Sequence, residues 1–289
     1  MQNINLDQSL REDLSLREAI DGSLTRISPV EMASIVRQAA HHDESLFIID
    51  TRSIAEFSAG HIPGSVFSGY LLGAFGPWLA LALGEENLVG KPYYLVAEYA
   101  ASLASIIPLL IENGITGVCL GFIEGDFASM WREEGFELEE TPQCFLTDLY
   151  RVLIEQQAKK ENPSVMMVVD CRTEAEYFEE YVADCIWVPL QRDALDRFVE
   201  GKLQEIHPKQ VYIYCGIGYR SLIACSLLRR WLQHKPGFSR TSFINVVDGY
   251  ESMKIDADFK AKFLINDGRG AAALQQFALD FANYVNKDS

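Results

Sequence analysis

Leu46-Phe47-Ile48-Ile49-Asp50-Thr51-Arg52, with Glu56 and Phe57 just beyond, returns later in the chain as Met166-Met167-Val168-Val169-Asp170-Cys171-Arg172, followed by Glu176 and Tyr177. Each stretch is an apolar run of strand length that stops at an aspartate. Asp50 and Asp170 lie 120 positions apart. Tyr93-Tyr94-Leu95-Val96 and the later Pro108-Leu109-Leu110 match Val211-Tyr212-Ile213-Tyr214 and Ser226-Leu227-Leu228 at an offset of 118. Val118-Cys119-Leu120, then Gly125-Asp126-Phe127 and Met130, answers Val246-Val247-Asp248-Gly249-Tyr250 and Met253. Three matches in one order predict two copies of one fold.

In each copy short apolar runs alternate with amphipathic ones, the pattern of an α/β domain with a mainly parallel sheet. The first copy is expected to hold strands at 47–50, 93–97 and 117–120 and helices at 29–40 and 101–113. The second is expected to hold strands at 166–170, 186–189, 211–215 and 243–247 and helices at 145–157 and 221–233. The boundary falls at 138–143, where Glu139-Glu140-Thr141-Pro142 interrupts both periodicities. Residues 6–20 and 270–285 have the pattern of terminal amphipathic helices, and Leu274, Phe277, Phe281 and Tyr284 give the second an apolar face. That face packs on its own chain or, in a homodimer, on a second subunit. Residues 66–84 carry no charge, yet Gly69, Gly73, Gly76 and Pro77 fit a buried connection better than a membrane span.

The 289 residues, 48% hydrophobic and 23% charged, are enough for two medium domains. A formal net charge of −16 opposes binding to nucleic acid or an anionic membrane. No basic segment precedes an apolar one at the N-terminus, so the expected compartment is the cytoplasm. Cys119, Cys144, Cys171, Cys185, Cys215 and Cys225 show no CxxC pair and no metal-ligand spacing, and are expected as free thiols with neither metal nor cofactor.

The stretch that carries chemistry is Val211-Tyr212-Ile213-Tyr214-Cys215-Gly216-Ile217-Gly218-Tyr219-Arg220-Ser221. A β-prone run delivers a cysteine to a glycine-punctuated loop ahead of a helix, where unpartnered N–H groups and the helix dipole favour a thiolate. Gly216 and Gly218 let the loop curl so that several N–H groups converge. Arg220 either binds an anion or pairs with an acid of the fold, Tyr219 lines a pocket or packs, and Ser221 is placed to cap the helix. Cys171 ends a strand at the sheet edge where sites gather, and reads as a buried strand end or as a relay thiol. His61 in His-Ile-Pro-Gly reads as a loop-holding residue rather than a base, and Cys225 as core.

Both halves resemble rhodanese domains, the family of thiol-based sulfurtransferases. The resemblance rests on Asp-x-Arg with a following Glu (Asp50, Arg52, Glu56; Asp170, Arg172, Glu176), on Gly60-His61-Ile62-Pro63-Gly64-Ser65, and on the Cys-x-x-x-x-Arg loop of Cys215 and Arg220. It implies two tandem α/β domains, each a mainly parallel five-stranded sheet flanked by helices: an N-terminal helical extension at 1–27, an inactive domain at 28–140, a catalytic domain at 144–258 and a helical tail at 259–289. Phe75-Gly76-Pro77-Trp78 in a first domain without the cysteine is similar to the rhodanese pair of metallo-β-lactamase–rhodanese fusions. The metal half is missing, since His41, His42, His61, His207 and His234 form no HxHxDH cluster.

At the offset of 118, Cys215 falls on Ala97 and Arg220 on Ser102, so chemistry is expected only in the second domain. There the resemblance implies that Cys215 takes a sulfane sulfur from a small anionic donor such as thiosulfate or a low-molecular-weight persulfide. Gly216, Ile217, Gly218, Tyr219, Arg220 and Ser221 would form the cradle, and a thiol, sulfite or cyanide would remove the sulfur. The trio Asp170, Arg172 and Glu176 is read as scaffold, because its counterpart survives in the copy that lacks a nucleophile. Tyr181-Val182-Ala183-Asp184-Cys185 departs from the Gly-His-Ile-Pro-Gly signature of the first half. Two other classes stay open: a phosphatase or arsenate reductase, whose loop is one residue longer to hold a tetrahedral anion, and a non-catalytic redox or binding module.

Overall fold

The computed structural model describes residues 24–42, 47–70, 76–84, 89–125, 127–159, 166–233 and 235–269. The expected terminal helices at 6–20 and 270–285 lie outside these residues. The chain divides into two compact units, Met1–Glu140 and Thr141–Ser289.

The first unit runs α1 (Pro29–His42), β1 (Phe47–Asp50), α2 (Ile54–Ala59), β2 (Val66–Phe67), α3 (Pro77–Leu83), β3 (Pro92–Ala97), a 3₁₀ turn (Ala100–Ser102), α4 (Leu103–Glu112), β4 (Val118–Glu124) and α5 (Phe127–Glu133). Its strands pair in parallel in the order β2-β1-β3-β4. Five strands were expected. At the outer edge of β4 there is instead an isolated bridge from Arg26 to Phe122. Within the uncharged stretch, Gly76 at φ 90° turns the chain and Pro77 opens α3, whose Leu79, Ala82 and Leu83 are buried.

The second unit runs β5 (Gln143–Cys144), α6 (Leu146–Lys159), β6 (Met166–Asp170), α7 (Glu174–Glu179), β7 (Tyr181–Val182), β8 (Ile186–Trp187), α8 (Arg192–Phe198), a π turn (Val199–Leu203), α9 (Gln204–Ile206), β9 (Gln210–Tyr214), α10 (Tyr219–Leu232), β10 (Ser242–Val246), α11 (Gly249–Ile255), α12 (Ala257–Phe263) and β11 (Leu264–Ile265). Five strands form a parallel sheet in the order β5-β10-β9-β6-β8. The strands shared by the two sheets follow the same order. Val211, Tyr212, Ile213 and Tyr214 suit a central strand covered on both faces, and all four are buried. The expected tail at 259–289 begins inside α12: Phe259 and Phe263 sit in the core, and β11 pairs antiparallel with β7. Among the described residues no helix is long and apolar enough to cross a membrane.

Candidate active site

Parallel β-sheets gather functional groups at the C-terminal ends of their strands, and the central strand reaches deepest into that edge. β9 is that strand here, and Cys215 follows it directly, fully buried. Gly218, at φ 86°, turns the chain so that Tyr219 is already helical. The helix was expected to start at 221. Because Gly218 occupies the N-cap, Ser221 lies inside the first turn and does not cap. Its hydroxyl instead reaches Asn245 Oδ1 at 2.6 Å and Cys215 Sγ at 3.5 Å. The Ser221 hydroxyl thus lies against both the Asn245 amide and the Cys215 sulfur.

The loop is clamped from the next connection. Tyr250 N–H donates to Cys215 O at 2.7 Å and Glu251 N–H to Gly216 O at 3.0 Å. Gly249, at φ 47°, makes this approach possible, since a Cβ there would stand 2.3 Å from Cys215 O.

Burial alone would push the Cys215 thiol up. The Cys171 thiol, the Arg220 charge, and the Ser221 hydroxyl and backbone N–H outweigh it and bring the group down to about 5. Cys215 is thus a thiolate at neutral pH. Burial and the neighbouring Cys215 hold Cys171 well above the ordinary thiol range. Burial also pushes up Cys225 and Cys185, the latter to about 12, so these thiols stay protonated.

Arg220 meets Glu176 through two charge-assisted hydrogen bonds, Nη1 to Oε2 at 2.7 Å and Nη2 to Oε1 at 2.6 Å. Of the two readings open for Arg220, pairing with an acid of the fold is the one seen in this state. Burial would raise the Glu176 carboxyl, but hydrogen bonds from Arg220 and Thr173 bring it to about 2. Glu176 therefore departs from the scaffold role expected of its trio: it caps α7 through Thr173 and also reaches into the site. Asp170 and Arg172 do form the scaffold. Arg172 Nη2 lies 2.7 Å from Asp170 Oδ2 and 2.6 Å from Glu180 O, with its guanidinium 4.0 Å from the Tyr250 ring centroid. The first unit repeats this pattern in Arg52, Asp50, Gly60 O and Phe127.

The counterpart loop of the first unit is chemically different. Ala97 ends β3, Ala100 N–H donates to the Glu124 carboxylate, and Arg26 pairs with Glu124 at 3.0 Å. The unit's own carboxylate occupies an N–H group of that turn. A cavity of about 390 Å³ opens beside it, lined by residues including Arg52, Glu56, Glu98, Tyr99 and Arg132, with no thiol on its walls. His61 Nδ1 bonds Phe57 O at 2.8 Å and the ring stacks on Phe57, so this histidine holds a loop.

A strand-borne thiolate, a four-residue loop to arginine, and an Asp–Arg pair beneath them together define the site. Residues 153–256 match the family model of the Rhodanese-like domain. No curated protein matches the sequence. Among solved structures, the chain is similar to the thiosulfate sulfurtransferase of Pseudomonas aeruginosa at 15% identity and a TM-score of 0.29, covering 86% of this chain and 43% of that one. It is also similar to a 3-mercaptopyruvate sulfotransferase of Escherichia coli, at 18% identity and a TM-score of 0.28, covering 78% and 97%. A third is a Saccharomyces cerevisiae homolog of single-domain rhodanese and of a phosphatase catalytic domain, at 16% identity and a TM-score of 0.33, covering 44% and 88%.

Within the matched residues, the structure brings Ser221 against the Cys215 sulfur and the Arg220 charge to bear on it, while Gly216 lies against the Arg220 guanidinium and Gly218 against the backbone of Val246, Val247 and Asp248. Ile217 points outward, about half exposed, and Tyr219 is buried by packing. The residues sequence reasoning missed are Asn245 and Gln143, which continue the chain from Ser221 (Asn245 Nδ2 to Gln143 Oε1, 2.9 Å), and Gly249 as the clamp. A buried asparagine in the run 242–246 was the available signal, because an amide there needs a partner.

Proposed function

We propose that this chain is a rhodanese-type sulfurtransferase that moves a sulfane sulfur through a Cys215 persulfide. The observation that carries the reading is the placement of Cys215 directly after the central strand, ahead of a loop only four residues long that leads to Arg220 at the start of α10; the surroundings also hold its thiol down to about 5. So short a loop suits one sulfur atom better than a tetrahedral phosphoryl group.

Gly216 lies against the Arg220 guanidinium, with a Cβ built there only 3.3 Å from Nη2. An anionic donor competes with Glu176 for Arg220 as it approaches the thiolate. The thiolate attacks the outer sulfur of thiosulfate, the S–S bond breaks, and sulfite leaves with the electron pair. The outer sulfur of the resulting persulfide carries the negative charge, which the loop N–H groups and Arg220 stabilise. Cyanide, sulfite or a thiol then takes that sulfur and restores the thiolate. The first unit is a silent tandem copy, since Ala97 and Ser102 stand where Cys215 and Arg220 would.

The test is mass spectrometry after incubation with thiosulfate or glutathione persulfide. A gain of one sulfur on Cys215, discharged by cyanide, supports the reading. Turnover of an aryl phosphate with no such adduct rejects it in favour of a phosphatase.

A further inference from the structure

β6 and β9 run parallel with Asp170 opposite Tyr214, and Cys171 N–H donates to Tyr214 O at 2.9 Å. The ladder thus extends one residue past both strands and sets Cys171 beside Cys215. Alternation along a strand turns both thiols to the face opposite Asp170 and Tyr214. Both residues are buried, side by side just past the ends of adjacent parallel strands. Neighbouring parallel strands stand about 4.8 Å apart, inside the Cα separation that a disulfide spans. In the first unit the same two register positions hold Thr51 and Ala97, so neither thiol is present in the copy without a nucleophile.

We propose that Cys171 is a resolving thiol that discharges the Cys215 persulfide as hydrogen sulfide and closes a Cys171–Cys215 disulfide. The inference rests on Cys215 carrying sulfane sulfur. In the resting site the Cys171 thiol stands beside a negatively charged Cys215 sulfur. Once the persulfide forms, the charge moves to the outer sulfur and the inner one becomes neutral and electrophilic at the same contact. Cys171 Sγ attacks that inner sulfur, and the Cys171–Cys215 S–S bond forms as the bond to the outer sulfur breaks. The electron pair leaves on the outer sulfur as hydrosulfide, which takes the Cys171 proton. The sulfane sulfur is reduced to sulfide and the two cysteines are oxidised, so no outside oxidant enters. Attack falls on the inner sulfur because the outer one is already held as an anion by the loop, ready to depart. A dithiol, or two small thiols, reduces the disulfide and resets the site.

The experiment uses the full chain, reduced and kept free of oxygen, with glutathione persulfide as donor. Released sulfide is trapped and counted, and disulfides are mapped by peptide mass spectrometry. The wild type should release one sulfide per chain and show the 171–215 disulfide. Cys171→Ser, which keeps a hydrogen-bond donor, and Cys171→Ala, which removes it, should both retain persulfide on Cys215 and release sulfide only at background. A stable wild-type persulfide, a disulfide joining Cys215 to Cys225 instead, or unchanged release from Cys171→Ser overturns the inference while leaving sulfur transfer standing. If neither the wild type nor Cys171→Ser gains sulfur on Cys215 or releases sulfide, sulfur transfer and the inference are rejected together.

Discussion

Arg220 grips Glu176 with both arms of its guanidinium, at 2.6 and 2.7 Å, across 44 positions of sequence. The pair joins the helix after the nucleophile loop to the helix after the Asp–Arg motif. It also decides the charge beside Cys215: while Glu176 is bound, part of the arginine's field is spent on a carboxylate instead of an incoming donor.

Glu176→Gln should lower the donor KM, because a neutral amide competes less well for Arg220, whereas Arg220→Ala should raise it. Steady-state kinetics with thiosulfate measures both. Equal KM values in the two variants would return the pair to a purely structural role.

Cys215→Ser should abolish sulfur loading and leave the fold intact. Because the native thiol ionises near 5, against about 8.5 in an unfolded chain, the unfolded state binds more protons between those values. Stability should therefore rise with pH across that window, with the contribution fully present above about 8.5 and lost as pH falls through about 5. Denaturant melts of wild type and Cys215→Ser as a function of pH check this, the serine variant lacking the slope.

Glu176 gives a second acid-sensitive contribution. Its folded value of about 2 lies below the ordinary carboxylate value of about 4.3, so its stabilisation is present above the latter and lost as pH falls toward the former. Glu176→Gln should flatten the acid limb of the melting profile.

Ser221→Ala should cost roughly 1–3 kcal/mol, because it leaves Asn245 Oδ1 buried without its 2.6 Å donor. The Cys215 thiol should titrate higher than in the wild type, because the Ser221 hydroxyl is one of the groups that holds it down. Chemical denaturation and an ultraviolet thiolate titration measure the two effects separately.

Gly249→Ala should reduce both activity and stability, since its Cβ would meet Cys215 O at 2.3 Å and the residue sits at positive φ. Wild-type kinetics from this variant would show that the clamp between α11 and the loop is dispensable.

The sequence by itself determined the α/β character of the chain, the place of Cys215 at the end of a strand ahead of a loop and helix, and the Asp170–Arg172 pair. Those are local signals: apolar runs of strand length, a cysteine leading into a glycine loop, and an arginine two residues from its partner. It was less informative where short elements depend on their neighbours. The two-residue β7 and β11 exist because they pair with each other, and the start of α10 was set by the positive φ of Gly218, not by a serine cap. Only the tertiary structure decided that Arg220 faces Glu176, that Asn245 anchors Ser221, and that Cys171 stands beside Cys215. Each of these pairs joins residues at least 24 positions apart, and the packing of helices on the sheet and the register of neighbouring strands, not any local pattern, bring them together.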